Sequence, residues 1–187
     1  VDDCHGEGVL GQGKGIVHHF RLQGRVHVEG GCMSKGFGVF GVSVCGSRDL
    51  VNFAFNKSRT WLLSSSHPPG LVAACIAALE VIESEPQHVK NLWENTEYFR
   101  KQMQSLGFNT GASQTPIIPV IVGESEVAKQ LSTELFSTGV FALPIVFPMV
   151  AKDKARIRCM MNAGLTREDL NYSINAFEKI GKKLKII

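Results

Sequence analysis

The run of apolar and polar positions divides the chain into a glycine-broken first part and a later part with regular periods. Residues 26–29 and 39–44 are short β-type runs bounded by Gly30-Gly31 and Gly46-Ser47, the pattern of buried strands ending in loops. Residues 61–63 form a third run of this kind. From Pro68-Pro69 the period changes to that of a helix, with Val72, Cys75, Ile76, Leu79 and Ile82 predicted as its buried face. A second helix opens near Pro86, carries Val89, Leu92, Trp93, Thr96, Phe99, Met103 and Leu106, and stops at Gly107. The break at residues 83–85 predicts two domains, residues 1–84 and 85–187.

Residues 117–122 are apolar throughout and predict a buried strand. A helix follows on Val127, Ala128, Leu131, Leu135 and Phe136 and ends at Gly139, and residues 140–143 and 155–160 predict further strands. The last helix begins with Thr166 as N-cap and Asp169 three residues on, with Leu165 and Leu170 placed for a hydrophobic staple. Its buried stripe is Leu170, Ile174, Phe177 and Ile180. The β-α-β-β-α order after residue 110 predicts an antiparallel or mixed sheet with helices on one face, so the fold class is α/β: part of a larger sheet, then a small α+β domain.

Composition changes this picture little. Of 187 residues 44% are hydrophobic and 20% charged, as in an ordinary globular chain. The net charge is +3, and the one dense basic cluster, Lys179, Lys182, Lys183 and Lys185, reads as a solvated helix end, so no nucleic-acid partner is expected. The cysteines at 4, 32, 45, 75 and 159 are odd in number and form no CxxC pair. That argues against a disulfide framework or zinc site and for reduced thiols in the cytoplasm. No apolar run reaches the roughly 18 residues of a membrane span, and no membrane partner is expected. The opening Val1-Asp2-Asp3 reads as a chain entered mid-fold.

Two phosphate-loop patterns lack their context. Gly6-x-Gly8-x-x-Gly11 has no strand before it and more glycines after it. Gly8 to Gly13-Lys14 has P-loop spacing, but Gly15 stands where a hydroxyl would have to reach magnesium. A third constellation is more specific: Asp2-Asp3-Cys4-His5, followed by Cys32-Met33-Ser34-Lys35-Gly36-Phe37-Gly38. Alone, Asp2 would be a capping or surface residue and His5 structural. Together with Lys35 their spacing resembles the cofactor core of fold-type I enzymes that use pyridoxal 5′-phosphate (PLP). Gly6-Glu7-Gly8-Val9-Leu10-Gly11, residues 59–69 and Ala155-Arg156-Ile157-Arg158 narrow the resemblance to the α-oxoamine synthases over essentially the whole chain, with glycine C-acetyltransferases nearest in motif.

The resemblance implies a C-terminal half of such an enzyme and a set of roles. Asp2 would keep the ring nitrogen protonated, His5 would bond the ring oxygen, and Lys35 would hold PLP covalently and then act as general base. Cys32 stands where relatives carry a Thr directed at the cofactor phosphate, and a thiol is the weaker donor. Ser64 and Ser65 match a segment that crosses a homodimer interface to the partner's phosphate. Arg158 matches the arginine that grips the amino-acid carboxylate, and Arg156 should share its face of the strand. Val42-Ser43 and Asn162-Ala163-Gly164 depart from the family pattern. The implied reaction condenses a small amino acid, expected to be glycine, with an acyl-CoA. The alternatives are an 8-amino-7-oxononanoate synthase type of reaction and a truncated, non-catalytic copy.

Overall fold

A computed structural model of the chain describes residues 1–187. Two compact units make it up, Val1–Val89 and Lys90–Ile187.

In the first unit a short helix α1 (Ile16–His19) precedes two antiparallel strands, β1 (Val28–Cys32) and β2 (Val42–Gly46), with Val28 opposite Gly46 and Cys32 opposite Val42. Both strands lie later than the expected residues 26–29 and 39–44, and Gly30-Gly31 sits inside β1 instead of ending it. The reason is backbone pairing on the other edge. Gly30 donates to the Val1 carbonyl at 2.9 Å and accepts from the Asp3 N–H at 2.7 Å, so the glycines are where a neighbouring segment comes close. β2 is not buried as expected, since Val42 and Val44 are 66% and 58% exposed.

Three helices follow: α2 (Arg48–Lys57), α3 (Arg59–Leu62) and α4 (Pro69–Ser84). Ser47 caps α2, its hydroxyl accepting from the Leu50 N–H at 3.2 Å. The strand expected at residues 61–63 is instead the end of α3; a run that short fits one helical turn as well as a strand. α4 starts with proline in its first turn, as its sequence predicts. Its predicted buried face is not buried, for Val72, Ile76 and Leu79 are all exposed. Periodicity identified the apolar face, and only part of it is covered: Cys75 and Ile82 are half-buried, Ile82 close to Gly13.

The second unit has the core. α5 (Gln87–Ser105) brings Leu92, Thr96, Phe99 and Met103 to it, and the sheet is antiparallel in the order β3 (Ile117–Gly123), β5 (Ala155–Met160), β4 (Leu143–Ile145). β4 lies later than residues 140–143, because Val140 and Ala142 turn into the core before the strand begins. Ile118, Val120, Ile157 and Cys159 face inward with Leu131 and Leu135 of α6 (Ser125–Ser137) and the stripe Leu170, Ile174, Phe177 and Ile180 of α7 (Arg167–Lys183). Phe177 meets Phe99 and Phe108 edge-on, with ring centroids 6.2 and 5.9 Å apart. Each such fully buried side chain contributes about 1.5–3 kcal/mol. Burial pushes the Cys159 thiol up to about 12, which makes it a packing residue.

α7 starts with the predicted capping box. Thr166 Oγ1 accepts from the Asp169 N–H at 3.1 Å, and Asp169 Oδ2 accepts from the Thr166 N–H at 2.8 Å. Asn95 Nδ2 donates to the carbonyls of Leu165 at 2.8 Å and Asn162 at 3.2 Å, which fastens the loop before α7 to α5. No helix of the chain is long and apolar enough to cross a membrane.

Candidate active site

Lys35 lies in the loop that joins β1 to β2. Met33 donates to the Gly41 carbonyl at 3.0 Å, Val39 to Met33 at 2.8 Å and Gly38 to Lys35 at 3.1 Å, so a tight turn presents the lysine on its exposed tip. Asp2 reaches the same edge because it bridges β1 in parallel at Gly30. Its Oδ1 accepts from the Cys4 N–H at 3.0 Å. Hydrogen bonds from Cys4 hold the Asp2 carboxyl below its ordinary range, with smaller help from the charges of His5 and Lys35. Asp2 and Lys35, far apart in sequence, are thereby brought within electrostatic reach of one another, with His5 three residues beyond Asp2. The same contact with Asp2 pushes the Cys4 thiol up to about 11.

Cys32 ends β1 beside them. Its Sγ lies 2.9 Å from the Ser34 hydroxyl. Hydrogen bonding from Ser34, then from Lys35, lowers the thiol from its usual range. Ser64 and Ser65 are exposed in the turn after α3, where Ser64 Oγ accepts from the Ser66 N–H at 3.1 Å. Arg158 belongs to the second unit, in the central strand β5 between Pro119 and Leu143. The alternating burial of β5 puts it on the face away from the core, together with Arg156 as expected; Arg156 Nε donates to the Lys154 carbonyl at 3.0 Å.

The glycine patterns at 6–15 serve a structural purpose. Gly8 donates to the Gly13 carbonyl at 2.9 Å and Gly13 to the Leu10 carbonyl at 2.9 Å, closing a knot around Asp3. Asp3 is 2% exposed, and its Oδ2 accepts from the Ile16 N–H at 2.7 Å at the start of α1. Gly15 has φ +89°, and a Cβ there would run into the Asp3 carboxylate. Sequence reasoning missed Asp3, although a second carboxylate among closely spaced glycines was the available signal. No group of three or more His, Cys, Asp or Glu side chains is arranged to hold a metal ion.

Family comparison decides the class. The model for aminotransferases of class I and II matches residues 1–177. The chain belongs to this family. It is 50% identical, over its whole length, to an 8-amino-7-oxononanoate synthase of Symbiobacterium thermophilum and 49% to one of Fervidobacterium nodosum, and covers 48% of each. The chain thus spans about half the length of the curated relatives it matches. A serine palmitoyltransferase structure from Sphingomonas wittichii superimposes on all of this chain with TM-score 0.94 at 23% identity, over 48% of its own length. That likeness shows the fold: this is part of the mixed α/β fold of PLP-dependent aminotransferases.

The family's cofactor is PLP, and the donor set fits it. A carboxylate held in its charged form by Cys4, an imidazole three residues on and a primary amine whose charge reaches that carboxylate are the three groups that a pyridinium nitrogen, a phenolic oxygen and an aldehyde call for.

Proposed function

We propose that a protein carrying this chain is a PLP-dependent C-acyltransferase that joins a small amino acid to an acyl thioester and releases CoA with a 2-amino-3-oxo product. The observation that carries the reading is the bridge of Asp2 to β1 at Gly30, which sets its carboxylate within electrostatic reach of Lys35, in a chain of this family. The names of the relatives at 50% and 49% identity move the substrate expectation from glycine and a short acyl-CoA to alanine and a longer acyl thioester, with loss of the carboxylate. The test is CoA release in a protein of the relatives' length, alanine with a longer acyl thioester against glycine with acetyl-CoA. Faster turnover of alanine is expected; faster turnover of glycine would restore the glycine C-acetyltransferase reading.

When bound, PLP supplies the electron sink for a carbanion at the amino-acid Cα. Asp2, kept anionic by Cys4, accepts the hydrogen bond of a protonated ring nitrogen. His5 would donate to the ring oxygen. Lys35 would hold the cofactor by its aldehyde, and its Nζ is the base assigned to the Cα proton. Cys32, at the end of β1, replaces a phosphate donor with a weaker one. Ser64 and Ser65 are assigned to a homodimer interface facing the partner's cofactor phosphate.

Arg158 is assigned the amino-acid carboxylate, for which a planar fork of donors suits better than an ammonium. Arg158→Lys should raise the KM for the amino acid at least about tenfold, consistent with loss of one charge-assisted hydrogen bond, and leave PLP affinity within about twofold. Titrating the amino acid against the holoprotein's visible spectrum checks this, and an unchanged KM removes Arg158 from the site.

A further inference from the structure

We propose that Glu7 is a positioning residue for Lys35, gripping the lysine loop at both ends. The inference rests on the reading of Lys35 as the lysine that holds PLP. On one side the Glu7 carboxyl is packed flat on β1: a Cβ on Gly31 would run into its Cδ and both of its oxygens. On the other side the Glu7 main chain packs under Gly36, where a Cβ would run into the Glu7 carbonyl oxygen and lie 3.2 Å from Gly8 Cα. Gly31 precedes the Cys32-Met33-Ser34-Lys35 turn and Gly36 follows it. One residue therefore fixes both ends of the segment whose tip is Lys35.

Glu7 itself is held in place. It pairs with Lys14 in an antiparallel bridge, and its N–H donates to the Asp3 carbonyl at 3.3 Å. Burial, then the neighbouring charges of Asp3 and Glu29, raise its carboxyl above the ordinary range, and the Cys32 backbone N–H, bonded to it, pulls the other way. Its Oε2 is buried without a hydrogen-bond partner. A half-satisfied carboxyl in such surroundings is costly. The bond to Cys32, whose thiol touches Ser34, gives it a line of contact to the lysine.

The test uses the PLP-loaded protein that carries this chain, in parent, Glu7→Gln, Glu7→Ala and Gly31→Ala forms. Borohydride trapping followed by peptide mapping reads how fast PLP becomes fixed on Lys35, and kcat and KM are measured alongside. Glu7→Ala and Gly31→Ala should each slow trapping and kcat about tenfold, the cost of a small misplacement of a reacting group, with KM within about twofold. Glu7→Gln keeps the shape and an acceptor for Cys32 and should stay within about threefold of the parent. The double variant Glu7→Ala/Gly31→Ala should be no slower than either single one, because the two changes break one contact. Parent-like trapping in Gly31→Ala, or losses that multiply in the double variant, would overturn the proposal while leaving the role of Lys35 intact. If Glu7→Ala does not fold, Gly31→Ala and Glu7→Gln decide between the same outcomes. Trapping of the parent on another lysine overturns both the proposal and the reading beneath it.

Discussion

Lys35→Ala should lower turnover of the PLP-loaded protein by about 10²–10⁴-fold or more, the span expected when a general base is removed, and should leave no borohydride-stable label in the peptide that contains position 35. The lysine is the one amine on the tip of the β1–β2 turn, within electrostatic reach of Asp2. Its removal takes away the covalent attachment and the proton acceptor together, so an added primary amine should restore a small part of the rate without restoring the label. The global fold should survive, because position 35 is exposed and no core residue touches the change. Unchanged turnover, or label that persists on another lysine of an active variant, would show that the chemistry is elsewhere.

The second large effect concerns the chain by itself. Residues 1–187 alone should self-associate at micromolar concentration and should release CoA at least about a hundredfold more slowly than a protein of the relatives' length. Helices α2, α3 and α4 bury none of their residues, and Phe53, Trp61, Leu62, Val72 and Ile76 stand exposed on them, with Leu63 just past the end of α3. Leu63 is 79% exposed. Apolar surface of this extent on one unit drives association. The outer edge of β2 has no neighbouring strand either. Asp2, His5 and Lys35 are the only cofactor residues proposed besides Cys32, Ser64 and Ser65, and the chain covers 48% of the length of the relatives it matches. Sedimentation velocity and a CoA-release assay check both parts. A monomer with turnover comparable to the longer protein would mean that the site is self-contained.

Much of the second unit was legible from local pattern. Thr166 with Asp169, the stripe from Leu170 to Ile180 and the apolar residues 117–122 each satisfy their own neighbours within a few positions, and there the structure matches the reading. α2 was equally local, with Ser47 as cap and Asp49 in the first turn, but its weakly apolar faces drew no notice. In the first unit the proposed site residues, Asp2, His5 and Lys35, were singled out because their chemistry and spacing resemble those of a cofactor core. What escaped was everything set by approach through space. Gly30-Gly31 looked like the end of a strand and proved to be its middle, because Asp3 and Glu7 come close to β1 there.

The sequence by itself determined which faces are apolar and the Thr166 cap of α7, since these depend on residues a few positions apart, and it proposed Asp2, His5 and Lys35 through a resemblance. The tertiary structure alone decided that Asp3 is a buried cap, that Glu7 underlies the lysine loop and that Val72, Ile76 and Leu79 of α4 are left exposed. Those outcomes depend on which distant backbone segments meet, and a hydrophobic period records the face that needs a partner without recording whether one is present.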